Sequence, residues 1–365
     1  MLKCGMTMDS TEKIEKIDRA LECLSVHAQS CRLCPRECGA DRAGGEKGFC
    51  QSGRVAAVSH ALLHYGEEPV LSGESDCAGE MTGQSRRAGG SGTVFFTGCH
   101  LKCCFCQNYQ LSWLGQGKTV TDEALARRMV RLQAQGALNI NLVSPTHLIL
   151  PILRGLRIAY ELGLVIPVVY NSNGYEKAEV LQHLEGIIDI YLPDIKYCSA
   201  KAAGKYSSAP DYFGHAKRAI REMHRQKSRL ILDEEGRALS GLIIRHLILP
   251  GLVRDSLKIL EWLAEELSTG VCLSLMSQFH PCFKAPEELQ RGLLPEEYQQ
   301  VLSRAEELGF EEMFIQPEGF APEDHLVPDF NLAEPFRWNP NTEGPSIRGR
   351  PRQTRSRRLA YVEDR

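Results

Sequence analysis

The chain has 365 residues, 43% hydrophobic and 24% charged, with a formal net charge of -3 and an isoelectric point near 6.4. That length accommodates one large α/β core or two domains, and the balanced charge excludes bulk disorder and a general nucleic-acid surface. No apolar run approaches the roughly 20 residues that a membrane-spanning helix needs, so no membrane partner is expected.

The first residues, "MLKCGMTMDSTEKIEKIDRALECL", are polar and charged and lack the apolar core of a signal peptide. A cytoplasmic location is the expectation. In a reducing compartment fourteen cysteines read as metal ligands or buried thiols rather than disulfides. Next, "CRLCPRECGADRAGGEKGFC" spaces four ligands as Cys31-x2-Cys34-x3-Cys38-x11-Cys50. Four thiolates make a closed site, which a tetrahedral zinc or a second iron–sulfur cluster accepts equally well. The stretch "HALLHYGEEPVLSG", with His60, His64, Glu67 and Glu68, reads as a structured linker that docks this module, with an acid or base role as the alternative. Residues 72–92 are small, polar and glycine-rich, so a flexible insertion is expected there, with no ligand role for Cys77.

From about residue 93 short apolar runs alternate with amphipathic stretches, the pattern of a parallel βα repeat. "TVFFTG" opens as a strand. "VTDEALARRMVRLQAQGA" follows as a helix that Thr121 caps, with Asp122 and Glu123 at its positive end, Leu125, Met129 and Leu132 on one face, and Gly136 at its close. Strands "LNINLV", "LVIPVVY", "IIDIYL", "GLIIRHLIL", "VCLSLMS" and "EEMFIQ" then alternate with helices around "ILPILRGLRIAYELG", "KAEVLQHLEG", "DYFGHAKRAIREMHRQ", "DSLKILEWLAEEL" and "PEEYQQVLSRAEELG". Six or seven strands of this kind predict a full or partial barrel whose function gathers at the carboxyl ends of its strands. The Arg-rich tail from about 340 lacks periodicity and reads as a solvated, disordered end.

"GCHLKCCFCQNY", residues 98–109, follows the first of these strands and carries Cys99-x3-Cys103-x2-Cys106. Three thiolates on one loop can hold three irons of a [4Fe-4S] cluster and leave the fourth iron open. An open coordination position separates a reactive metal site from a closed structural one. A zinc knot completed by a remote ligand is the alternative. Cys104 is surplus to the spacing and reads as a packing residue.

Cys-x3-Cys-x2-Cys with Phe105 before the last cysteine resembles the signature of the radical S-adenosylmethionine (SAM) superfamily. Over roughly residues 30–335 the chain is similar to the branch that looks like pyruvate formate-lyase activating enzyme, and especially to relatives with an N-terminal "CxLCPRxC" motif. The resemblance implies a [4Fe-4S] cluster whose open iron binds SAM. It implies reductive cleavage to a 5'-deoxyadenosyl radical that abstracts hydrogen, with a flavodoxin or ferredoxin-type reductant.

It also implies site residues. Asn108, in "CQN", stands where the family has "CxN". The second strand ends "SPTH" in place of Gly-Gly-Glu, so Ser144 and Thr146 offer hydroxyls but no carboxylate to the SAM ammonium. His147 reads equally as a loop residue. "YNSNGY" resembles Asp-Thr-Asn-Gly, with Asn171, Ser172 and Asn173 at the strand end and Asn171 in the place of the acid. "LPDIKY" resembles Asp-x-Lys, with Asp194 at a polar site and Lys196 toward the SAM carboxylate, or else the two form an exposed ion pair. In "IIRHLILPG" Arg245 is the expected SAM contact and His246 faces the other way. Gln278 and His280 of "MSQFHP" are candidates for reaching substrate. No residue is singled out as a catalytic acid or base.

The expected fold is therefore α/β, a partial (β/α)6-type barrel with an N-terminal Cys-rich metal-binding module. Its divisions are an N-terminal helix and Cys4 module over 1–70, the insertion over 71–92, the barrel over 93–320 and an extension over 321–365. The expected activity is that of a radical SAM oxidoreductase acting on a glycyl radical enzyme. The alternatives are a small molecule or peptide as substrate, or a non-catalytic metal-binding scaffold.

Overall fold

The computed structural model describes residues 9–73, 89–316 and 327–336. Most of the expected insertion, with Cys77, and the Arg-rich tail lie outside these residues. In chain order the elements begin with α1 (Ser10–Leu24), β1 (Ala56–His64), α2 (Pro69–Ser72), β2 (Ser91–Phe96), α3 (Tyr109–Ser112), β3 (Lys118–Val120), α4 (Asp122–Ala134) and β4 (Ile140–Val143). They continue with α5 (Ile149–Glu161), β5 (Val168–Ser172), α6 (Ala178–Gln182), β6 (Ile190–Pro193), α7 (Ala200–Ser207) and α8 (Tyr212–Gln226). The series closes with β7 (Ile231–Leu232), β8 (Ala238–Leu247), α9 (Val253–Leu267), β9 (Cys272–Met276), α10 (Pro295–Leu308) and β10 (Met313–Ile315).

Seven strands are parallel, in the order β2-β4-β5-β6-β8-β9-β10. Three strands that apolar alternation did not reveal are antiparallel: β1 extends the sheet beyond β2, β3 pairs β1, and β7 pairs β8. The two ends of the path, β10 and β3, do not pair with each other among the described residues. The architecture is thus an α/β fold on a mostly parallel sheet.

Side-chain alternation, two residues per repeat, sorts each strand between two cores. Val94, Phe96, Ile140, Leu142, Val168, Tyr170, Tyr191, Leu242, Ile244, Leu273 and Leu275 face the covering helices. On the other face Val169, Ile190, Leu192, Ile243 and Cys272 meet Leu71 of α2, which is fully buried among them. The stretch expected to be a linker is therefore a strand between β2 and β3 followed by a turn of helix inserted against the inner face of the sheet. As expected, Thr121 caps α4, accepting from the Ala124 N–H at 3.2 Å.

Helix α1 buries Ile17, Ala20 and Leu24 at helical spacing, and Lys13 lies on the same face. Its ammonium reaches Asp189 Oδ2 at 2.6 Å and the Tyr160 hydroxyl at 3.1 Å, while Asp189 also accepts from the Val168 N–H at 2.9 Å. The helix is pinned to the start of β5 by a buried ion pair. Lys13→Ala leaves Asp189 buried without its cation and is expected to lower the unfolding free energy by about 3–5 kcal/mol. Arg19→Ala, which breaks an exposed pair with Glu15, should cost under about 1 kcal/mol. Denaturant midpoints of the two variants test the difference.

Candidate iron–sulfur and SAM site

Strand β2 delivers the cysteine loop to the carboxyl edge of the parallel sheet. Gly98 turns the chain at φ +80°, and a Cβ there would sit 2.4 Å from the Cys50 carbonyl oxygen, so only glycine lets the N-terminal module press this close. Each of the three expected ligand thiols accepts a hydrogen bond from a different element. Ser207 donates to Cys103 Sγ at 3.1 Å, Ser112 to Cys106 Sγ at 3.2 Å, and the Asn173 amide to Cys99 Sγ at 3.6 Å. Burial pushes the Cys99 thiol up and carries Cys106 to about 12, although the backbone N–H of Asn108 favours the Cys106 thiolate. Phe105 packs edge-on against Tyr197, Tyr206 and Phe279, closing the loop off from water. Cys104 is half-buried: its carbonyl accepts from Lys284 N–H at 3.0 Å, and burial, with the neighbouring Cys103, pushes its thiol up to about 11.

The next strand ends gather beside this loop. Asp194 and Arg245 are paired across β6 and β8, and Lys196 Nζ lies 2.7 Å from Asp194 Oδ2. Burial opposes the Lys196 charge, but Asp194 and the Cys103 and Cys106 thiols outweigh it and hold its pKa above the ordinary value. Asn171 lies at the end of β5, and its carbonyl accepts from the Ser144 N–H at 2.8 Å, with Ser144 in a left-handed conformation.

Other expected contacts are engaged differently. Arg245 donates to Glu68 at 2.8 Å and 2.5 Å and also to Glu67, so its guanidinium is held by two buried carboxylates from the chain ahead of α2. Asn141 donates to Glu67 at 2.9 Å. Burial works against the Glu68 charge, yet Arg245 holds its carboxyl below the ordinary range. Thr146 and Ser172 each donate to Glu176 Oε1 at 2.5 Å, and Tyr170 donates to its other oxygen at 3.4 Å, all on the helix-covered side of the sheet. Those two hydroxyls serve a buried acid. His147 and His100 are fully buried, with pKa values pushed down by burial to about 4 and about 3. His246 faces the helices, as expected, with Nε2 at 2.8 Å from the Ser256 hydroxyl.

In the N-terminal module Cys31, Cys34 and Cys50 are buried and Cys38 is exposed. Arg42 donates to Cys50 Sγ at 3.2 Å and to the His147 carbonyl. Arg36, inside the cysteine motif, donates to the carbonyls of His100 (2.9 Å), Leu101 (3.2 Å), Ser207 (2.8 Å) and Ser208 (2.5 Å). One guanidinium thus ties the module, the cysteine loop and the end of α7 together. No role was legible in the sequence for Arg36 or Glu176, and Glu67 and Glu68, expected to belong to a docking linker or to act as acid or base, are instead the partners of Arg245.

Among the described residues, no three His, Cys, Asp or Glu side chains converge so as to hold a single metal ion. A lone zinc needs converging ligands, whereas a cluster takes one separate sulfur per iron. Buried thiols with hydrogen-bond donors at each sulfur, and Lys196 beside them, fit a [4Fe-4S] cluster at Cys99, Cys103 and Cys106 on donor chemistry.

A parallel α/β sheet with a three-cysteine loop at a strand's carboxyl end and polar strand ends beside it defines a scaffold for an iron–sulfur cofactor with an open side. The chain belongs to the radical SAM superfamily, whose model matches residues 93–265. It is 32% identical over 289 residues to the uncharacterised protein MJ0674 of Methanocaldococcus jannaschii, covering 76% of this chain and 75% of that protein. Membership makes it an enzyme of SAM radical chemistry and implies a [4Fe-4S] cluster and SAM as its cofactors. The matched span begins within β2, so the cysteine module, β1 and α2 lie outside it. No helix among the described residues is long and apolar enough to cross a membrane.

Two predictions follow from this geometry. Arg36→Ala strands four carbonyls and is expected to lower the stability of the metal-free protein by about 2 kcal/mol in thermal unfolding, with Arg36→Lys recovering only part of the loss. Burial raises the Glu176 pKa from 4.5 to about 7, so the folded state holds its proton more tightly than the unfolded state. Its contribution is complete below pH 4.5 and is lost as pH rises through 7, leaving a cost of about 3 kcal/mol above that. Glu176→Gln should therefore be more stable than the parent protein at pH 8 and lose that advantage at pH 4.5, as measured by paired unfolding curves.

Proposed function

We propose that this radical SAM enzyme is of the activating type, abstracting hydrogen from a residue of a protein partner, with a backbone glycine of a glycyl radical enzyme as the first candidate. The observation that carries the reading is the placement of Asp194, Lys196 and Arg245, from adjacent strand ends, beside a loop whose three thiols each accept a hydrogen bond. When bound, the cluster and SAM supply one-electron cleavage of the sulfonium and removal of a hydrogen atom from the substrate. The chain's own residues bind, orient and shield. Cys99, Cys103 and Cys106 hold the metal, and Ser207, Ser112 and Asn173 support their thiolates.

In this reading Lys196, oriented by Asp194, meets the SAM carboxylate. Arg245, clamped by Glu67 and Glu68, forms the far wall of the SAM site, and Ser144, Asn171 and the backbone around them accept from its ammonium. Phe105, Tyr197, Tyr206 and Phe279 keep water from the site. Cys31, Cys34, Cys38 and Cys50 would hold a second metal group, iron–sulfur or zinc.

The test is anaerobic reconstitution with iron and zinc counts, followed by reduction and assay for 5'-deoxyadenosine. Its formation is expected in the parent protein and should be abolished in Cys103→Ala, with metal at Cys31 to Cys50 retained. Incubation with a candidate glycyl radical enzyme should then give a persistent protein radical in electron paramagnetic resonance. Formation of 5'-deoxyadenosine with no protein radical, but with turnover of a small molecule or peptide, would replace the partner. A full cluster with no SAM cleavage would favour a binding scaffold instead.

A further inference from the structure

The reading above leaves one group of side chains without a role. Trp113, half-buried just after α3, donates its indole N–H to the Cys103 carbonyl at 2.9 Å. The ammonium groups of Lys102 and Lys284 lie 5.2 Å and 5.1 Å from its ring centre. Phe283 lies 5.5 Å from Trp113 and stacks on Tyr109 at 4.9 Å, and Phe49 of the N-terminal module lies 5.4 Å from the Lys102 ammonium. Three distant segments of the chain thus build one patch. Lys102 and Phe283 hold left-handed backbone at φ +54° and +55°, a conformation that costs a residue with a side chain about 1 kcal/mol and is kept here by tertiary packing.

The charge of this patch is not neutralised within the chain. Among the described residues neither Lys102 nor Lys284 has a carboxylate at ion-pair distance, unlike Lys196 and Lys205 nearby, and what separates the two from other unpaired lysines is that both ammonium groups lie over the Trp113 ring. Phe49 and Leu114 add exposed apolar surface beside them, at 39% and 57% exposure. A cation over an aromatic face is stabilised by the ring and still presents its charge outward.

We propose that this cation-capped aromatic patch is the docking site of an acidic one-electron carrier protein, which delivers the electron that SAM cleavage consumes. The inference rests on the radical SAM reading. Each cleavage takes up one electron, so a reduced donor must lose one for every turnover. The patch is contiguous with the cysteine loop: Lys102 lies between Cys99 and Cys103, and Trp113 is hydrogen-bonded to the main chain of Cys103. A carrier with an acidic rim around its redox group would be steered by the two ammonium groups and seated on the rings.

The test uses the full-length, anaerobically reconstituted protein and stopped-flow bleaching of its visible iron–sulfur absorbance. With reduced flavodoxin as the probe, bleaching should slow with added salt and should slow at least about tenfold in Lys102→Glu/Lys284→Glu. Lys284→Glu alone, remote from the cysteines in sequence, should slow it about threefold. Bleaching by photoreduced deazariboflavin, a small uncharged donor, should be the same in all variants. Equal rates with flavodoxin across the variants and salt series would overturn the proposal, as would slowing that is the same with both donors. Slower modification of a protein partner with unaltered flavodoxin bleaching would overturn it in favour of a substrate-docking surface. Failure of both donors to bleach the parent protein would overturn the reading of the cysteine loop, and this inference with it.

Discussion

Three thiols crowded onto one short loop and withdrawn from water impose the constraint around which this molecule is arranged. Burial alone drives Cys99 and Cys106 toward the neutral thiol. Metal ligation requires the thiolate, so the surroundings must supply donors and positive charge. They come from separate parts of the chain: Ser112 from α3, Asn173 from beyond β5, Ser207 from α7 and Lys196 from beyond β6. Arg36 gathers two carbonyls of the loop and two from the end of α7 onto one guanidinium, which makes the N-terminal module part of the site's frame.

Strand β5 and its extension show how a two-residue repeat divides the chemistry. Tyr170 and Ser172 point to the helices and satisfy Glu176, whereas Val169 points inward among the apolar side chains around Leu71 and Asn173 continues to Cys99. Burial lifts the Glu176 pKa to about 7 against the opposing effect of three hydroxyl donors, and among the described residues no cation lies at hydrogen-bond distance, so its proton is retained to near neutral pH. Across the sheet the accounting is reversed. Glu67 and Glu68 face a single Arg245, which stays charged because two carboxylates compensate its burial. The fold thus keeps a near-neutral acid on its covered side and a fully ionised group on its inner side, at the level where the strand ends meet the cysteine loop.

The segment ahead of β2 lies outside the matched domain and builds directly onto it. β1 pairs antiparallel with β2 and in turn carries β3, and α2 seats Leu71 against the inner face of the sheet. Burying that side chain contributes roughly 2 kcal/mol. More importantly, the turn between β1 and α2 carries Glu67 and Glu68 to Arg245, so the guanidinium of the residue expected to contact SAM is oriented by carboxylates from ahead of the matched domain.

Much of this was legible from residue order alone. The seven parallel strands, the Thr121 cap and the outward turn of His246 follow from periodicity and local hydrogen bonding, which act over a few residues. Cysteine spacing was equally readable, because three thiols on one loop are a local feature. Antiparallel β1 was not, since its alternation is blurred by His60 and His64 and most of its residues are only half-buried. Nor were the roles of Arg36, Glu67, Glu68 and Glu176, or the engagement of Thr146 and Ser172, whose partners are fixed by long-range packing. By itself, the sequence determined the βα rhythm and the close spacing of the three cysteines on one loop, because both depend on neighbours in the chain. Only the tertiary structure decided which charges meet which donors, because burial and pairing arise when segments more than a hundred residues apart are brought into contact, as Arg36 and Ser207 are.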